Sequence, residues 1–95
     1  MKKYSLDKLK IILSERIGEP EVTIKFKNVN SQYMIIKYKD YYTFQRCGIN
    51  DGSGEIYFKS FYLLINTNTI DNINLKRDWN NIEEILIDEV PMEEL

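Results

Sequence analysis

Cys47 is the single thiol in a chain of 95 residues that contains no histidine. Ser/His/Asp and Cys/His nucleophile systems need an imidazole base, so neither can be assembled within one copy of this chain. General acid–base work near neutral pH ordinarily recruits histidine as well. Zinc needs more sulfur and nitrogen ligands than one cysteine supplies. To act as a nucleophile, Cys47 would need a neighbour that stabilises its thiolate. Arg46 is adjacent in sequence, but on a strand it points to the opposite face, so the thiol reads as structural. Carboxylate-only chemistry on a hard cation stays formally open. Its candidate ligands are Glu83/Glu84 and Asp88/Glu89, with Asp51 joining from a loop if the fold brings it near. Asn50, Asp51, Ser53 and Glu55 loosely resemble a calcium loop and miss its spacing. Asn50-Asp51-Gly52-Ser53-Gly54 lacks the Lys-Ser/Thr ending of a phosphate loop and reads as a hairpin turn. No catalytic residue, metal site or cofactor is expected.

Two other constellations suit binding. Lys25, Lys27, Tyr33, Lys37, Lys39, Tyr41, Tyr57 and Lys59 interleave cations with aromatic rings. On one sheet face they would suit single-stranded nucleic acid, with lysines on phosphates and rings on bases. They would equally suit an acidic protein groove with tyrosines as anchors. A solvated antiparallel face has the same ordinary composition. The scarcity of arginine weighs against nucleic acid. The second constellation is acidic: Asp78, Glu83, Glu84, Asp88 and Glu89, followed by Glu93 and Glu94. Carboxylates along a strand and tail can imitate a phosphate backbone and be steered by charge into a basic groove.

The elements that must position these residues follow from periodicity. Ser5 to Ile17 predicts an amphipathic helix, capped by Ser5, with Leu6, Leu9, Leu13 and Ile17 as its apolar stripe. Gly18 and Pro20 stop it. Glu21 to Cys47 is alternating, β-branched and aromatic, and predicts three antiparallel strands. Val22, Ile24 and Phe26 form the inward set of the first strand. Met34, Ile36 and Tyr38 form that of the second, leaving Tyr33, Ile35 and Lys37 outward. In the third strand Tyr42 and Phe44 inward is preferred over Tyr41 and Thr43, because Phe44 is its most apolar residue. Glu55 to Lys59 is a short fourth strand with Ile56 and Phe58 inward. Ser60 and Asn74 cap two short helices, the second carrying Leu75 and Trp79 on one face. Ile82 to Asp88 closes the sheet, with a helix as the alternative. Pro91 ends order, and residues 92–95 read as a frayed acidic tail.

The resulting fold class is α+β: an N-terminal helix, an antiparallel sheet of three or four strands, two short helices and a C-terminal strand. Residues 1–95 read as a single domain. Hydrophobic residues make up 43% and aromatic residues 13%, which supports a packed core over disorder. Net charge is −2, with lysines early and acids late. The lone cysteine fits a reducing cytoplasm, and no apolar run approaches membrane length. Alanine is absent and Ile, Asn, Lys and Tyr are abundant, a composition that AT-rich codons favour.

Ile70 to Asp88 reads I-D-N-I-N-L-K-R-D-W-N-N-I-E-E-I-L-I-D. This stretch resembles the C-terminal part of small uncharacterised proteins of low-GC Gram-positive bacteria and their phages and mobile elements. Asn74, Leu75, Trp79 and Ile87 carry the resemblance: a capping residue, a leucine and a tryptophan before an acidic–apolar strand. The resemblance implies no activity. The expectation is a small cytoplasmic binding protein acting by stoichiometric protein–protein interaction. Its size and acidity match inhibitors of defence nucleases (the anti-CRISPR kind) and toxin-neutralising proteins, with Trp79 and exposed tyrosines as anchors. The alternative is single-stranded nucleic-acid binding. A monomer or a homodimer, paired through the long apolar edge of the last strand, is expected.

Overall fold

Val22, Ile24 and Phe26 alternate with Thr23 and Lys25, the period-two pattern of a strand buried on one face. They form β1, Glu21–Phe26. A computed structural model describes residues 5–48 and 54–95. Around β1 it places β2 (Gln32–Lys37), β3 (Tyr42–Arg46), β4 (Glu55–Phe58), β5 (Ile82–Ile87) and β6 (Val90–Pro91). The strand order is β4-β3-β2-β1-β5-β6, and every neighbouring pair is antiparallel. The architecture is α+β, with more strands than the expected three or four. The closing strand β5 enters the sheet beside β1, and Val90–Pro91 folds back on it as β6. That return covers the β5 edge at Leu86 and Ile87, so the expected long free edge of the last strand is shortened. The expected turn at 50–54 lies, except for Gly54, outside the described residues.

Pairing fixes which face each strand buries. Val22 lies opposite Ile35 and Ile24 opposite Tyr33. Tyr33 and Ile35 therefore point inward and are buried, with Phe44 from β3 beside Ile35. This corrects the expected inward set of Met34, Ile36 and Tyr38, which lie on the other face. Strand β2 is apolar on both sides, so its own alternation cannot choose a face; the partner strand chooses. Tyr42 and Phe44 inward, the preferred reading of β3, agrees with the register. Ile82, Ile85 and Ile87 line the same side from β5.

Helix α1 spans Leu6–Glu15, with the Ser5 hydroxyl accepting from the Lys8 N–H at 3.1 Å. Leu9 and Leu13 bury completely, each stabilising by about 2 kcal/mol of apolar transfer. The helix ends two residues earlier than the apolar stripe suggested. Arg16 turns extended and Ile17 is fully exposed. Asp88 accounts for this ending. Its carboxylate accepts from the Arg16 guanidinium at 3.1 Å and from the Glu21 N–H at 3.0 Å. One side chain thus ties the end of α1, the start of β1 and the exit of β5.

Helices α2 (Phe61–Asn66) and α3 (Leu75–Asp78) are capped by Ser60 and Asn74 as the sequence predicts. Phe61, Leu64, Leu75 and Trp79 join Leu9, Leu13 and the inward strand residues in one hydrophobic core. Trp79 is 8% exposed, a core residue rather than the surface anchor expected. Residues 92–94 form a 3-10 turn with Met92 buried, where a frayed tail was expected. Among the described residues no helix is long and apolar enough to cross a membrane.

Candidate functional site

The helices all contribute their buried residues to one side of the sheet. The other side is open. Register places Glu21, Thr23, Lys25, Gln32, Met34, Ile36, Thr43, Gln45, Glu55, Tyr57, Glu84 and Leu86 on it. Three apolar residues sit among these polar ones: Met34 and Ile36 on β2 and Leu86 on β5 are half-buried, with Thr23 of β1 between Met34 and Leu86. An uncovered sheet face of this kind is ordinarily polar and solvated.

A tyrosine cluster occupies the β3–β4 end of this face. The Tyr38 and Tyr41 rings stack with centroids 4.8 Å apart, and Tyr41 meets Tyr57 at 5.5 Å. Tyr57 is 61% exposed and donates its hydroxyl to Glu55 at 2.6 Å. That bond to a carboxylate holds its phenol protonated above the usual tyrosine range. Thr43, which pairs with Tyr57 in the ladder, is buried, and its hydroxyl has no hydrogen-bond partner. Its cross-strand neighbours, Tyr57 on β4 and Ile36 on β2, explain how a threonine on an open face loses its water.

The acidic residues divide. Asp88 is engaged by Arg16 and the Glu21 N–H. Asp78 is engaged by Arg77 at 2.9 Å and by the Asn74 N–H, and its carboxyl is held below the usual range mainly by the Arg77 bond. Glu89 sits in the turn between β5 and β6. Glu83 and Glu84 converge with Glu93 on a small recess of about 160 Å³ at the β5–β6 edge, beside Pro91. Lys25 approaches Glu83 only to 4.0 Å, and both side chains are about half exposed. The structure therefore gathers two of the five expected acidic residues with one from the tail. It does not gather Asp78 and Asp88, which serve folding contacts.

The expected Lys/Tyr face also divides. Lys25, Tyr41 and Tyr57 lie on the open side. Tyr33 does not: it is 1% exposed, packs edge-on to Phe26 and stacks on Phe44. Lys27 lies just past β1, where its N–H donates to the Asn81 carbonyl. Lys37, Lys39 and Lys59 leave the face for a cleft beside the β2–β3 turn and the start of α2, where Lys10 of α1 meets them. Sequence reasoning missed Lys10, Met34, Ile36, Tyr38 and Leu86. Lys10 carries no local signal, because only the packing of α1 brings it to the cleft. The open-face apolars were hidden by the ambiguous alternation of β2.

Cys47 is partly buried, and burial pushes its thiol above its ordinary value, so it stays protonated at neutral pH. Among the described residues no group of three carboxylate or thiol side chains is arranged to hold a metal ion; Asp51 lies outside those residues. Compared with known protein families, curated proteins and solved structures, the chain matches none.

Proposed function

We propose that the chain is a non-enzymatic, cytoplasmic binding protein that acts by stoichiometric occlusion of a protein partner through its open sheet face. One observation carries this reading. The uncovered face carries half-buried Met34, Ile36 and Leu86 around Thr23, with Tyr41 and Tyr57 toward one edge and Glu84 toward the other, where Glu83 and Glu93 share its recess. Apolar residues flanked by tyrosine and by charge are the anatomy of protein interfaces. The acidic side specifies the partner's chemistry: an apolar patch bordered by lysine or arginine, as on a nucleic-acid-handling protein such as a defence nuclease or a toxin. Charge would speed the encounter, and tyrosine burial would slow dissociation.

The test is a photo-crosslinking amino acid placed at Tyr57 and, as a control, at Lys76 on the exposed side of α3. A single protein adduct from position 57 and none from position 76 is expected. Glu83→Lys with Glu84→Lys should then weaken that complex by about tenfold or more, mostly through slower association. Equal adducts from both positions, unchanged affinity after charge reversal, or a homodimer crosslinked through position 57 would overturn the reading.

A further inference from the structure

Four lysines from three separate elements meet at one place. Lys10 comes from α1, Lys37 and Lys39 from the end of β2 and its turn, and Lys59 from the junction of β4 and α2. They line a cleft of about 390 Å³, and among the described residues Asp40 is the one acidic residue that lines it with them. Like charges brought together from distant parts of a chain repel, so the arrangement favours an anion between them. Among the described residues none of these four lysines has a carboxylate partner within ion-pair distance. The Lys37 ammonium is the most constrained. It lies 3.4 Å from the Tyr38 carbonyl and 5.9 Å from the centroid of the Tyr42 ring.

The cleft also has aromatic walls. Tyr42 is packed edge-on against Phe61, with centroids 5.9 Å apart, and its ring lies beneath the Lys37 ammonium. Tyr62 stands on the rim and is 71% exposed, so core packing does not explain it. Ammonium groups around a space that also offers exposed π-faces match a ligand with a phosphate at one end and a planar ring at the other. The volume lies within the range of small-ligand sites.

We infer that this cleft binds a nucleotide unit, with its phosphate among Lys10, Lys37, Lys39 and Lys59 and its base against Tyr62. The same chemistry is presented by a free nucleotide and by one residue of a single strand. Tyr38 and Tyr41 of the open-face cluster also line this cleft, but the acidic edge does not, and the inference does not rest on the protein-occlusion reading.

The experiment is a titration of the whole chain at low ionic strength, followed by backbone amide NMR. One arm uses adenosine diphosphate and the other a short oligothymidine. Shifts centred on residues 37–42 and 59–62 are expected in at least one arm. Response to the diphosphate identifies a free-nucleotide site, and response to the strand alone identifies a nucleic-acid site. Lys37→Gln and Lys59→Gln should each weaken the responding probe several-fold, and Tyr62→Ala about tenfold. Asp40→Asn should tighten it. For the strand, log K should fall with log salt with a slope of about −2 to −3 when up to four phosphates are neutralised. Lys25→Gln and Lys76→Gln, outside the cleft, should change little. The spectra also report whether each variant is folded. No response in either arm, or equal losses from Lys25→Gln and Lys37→Gln, would overturn the inference.

Discussion

The Tyr33 hydroxyl donates to the Asp71 carboxylate at 2.6 Å, joining residues 38 apart in sequence. Arg46 holds the same carboxylate from the neighbouring strand at 3.2 Å. Asp71 reaches this position from left-handed backbone, φ 56°, in the 3-10 turn Ile70–Asn72. The contact anchors the segment between α2 and α3 to the sheet. It also explains why a buried tyrosine is tolerated where an aliphatic residue would pack: its polar end has a charged partner.

This pair makes stability depend on pH at both extremes. Burial, and then the Asp71 bond, push the Tyr33 phenol up from 10.0 to about 12. Below pH 10.0 both folded and unfolded chains keep this proton. Above it the unfolded chain ionises first, so stability falls as pH rises toward 12, by on the order of 2 kcal/mol from this residue. The Tyr33 bond, with Arg46 assisting, holds Asp71 below its ordinary 3.8. That contribution is present above 3.8 and is lost as acid protonates the carboxylate in the folded state. Tyr33→Phe should flatten the alkaline limb in a denaturation series across pH and remove one late-ionising phenol from the absorbance titration. An unchanged alkaline limb would refute the assignment.

Thr43 offers a gain in stability. Its hydroxyl is buried under the tyrosine cluster without a partner. Valine has the same shape and no polar atom to desolvate. Thr43→Val should stabilise by about 1 kcal/mol, raising Tm by roughly 5 °C for a domain of this size. Calorimetry checks it, and a lower Tm would show that the hydroxyl is satisfied in solution.

Neighbouring isoleucines on β2 should behave oppositely. Ile35 is fully buried between β1 and β3, whereas Ile36 faces the open side. Ile35→Ala should cost about 2–4 kcal/mol in urea unfolding, with cavity formation added to lost burial. Ile36→Ala should cost less than about 1 kcal/mol, because its surroundings are already partly wet. Equal costs would mean that the strand pairs in the other register.

The short helices depend on their caps. Ser60 accepts from the Leu63 N–H at 3.1 Å and Asn74 from the Arg77 N–H at 3.0 Å. Ser60→Ala and Asn74→Ala should each cost about 1 kcal/mol. Hydrogen exchange should show the loss first in α2 or α3 respectively. Asn74→Ala should be the milder of the two, because the Asp78 carboxylate still accepts from the N–H of residue 74.

Much of this architecture is written in local chemistry. The three caps, the alternation of β1, the preferred face of β3 and the strand nature of Ile82–Ile87 all follow from neighbours within a few residues. Absent histidine and a single cysteine likewise narrow the available chemistry whatever the fold. The sheet faces were different. From Tyr33 to Tyr38 every residue except Lys37 is apolar or aromatic, so shifting the face by one residue exchanges one apolar set for another. Only the pairing of Val22 with Ile35 breaks the tie. The same holds for the charged groups. Sequence alone showed lysines early and acids late, and from these it sketched one cationic face and one acidic surface. Tertiary structure spent Asp78 and Asp88 on ion pairs, left Glu83 and Glu84 beside Glu93, and carried Lys10 to Lys37, Lys39 and Lys59. Caps and alternation are short-range effects that a stretch of residues determines for itself. Where a surface charge ends up depends on which distant element packs beside it, and that is settled only when the core closes.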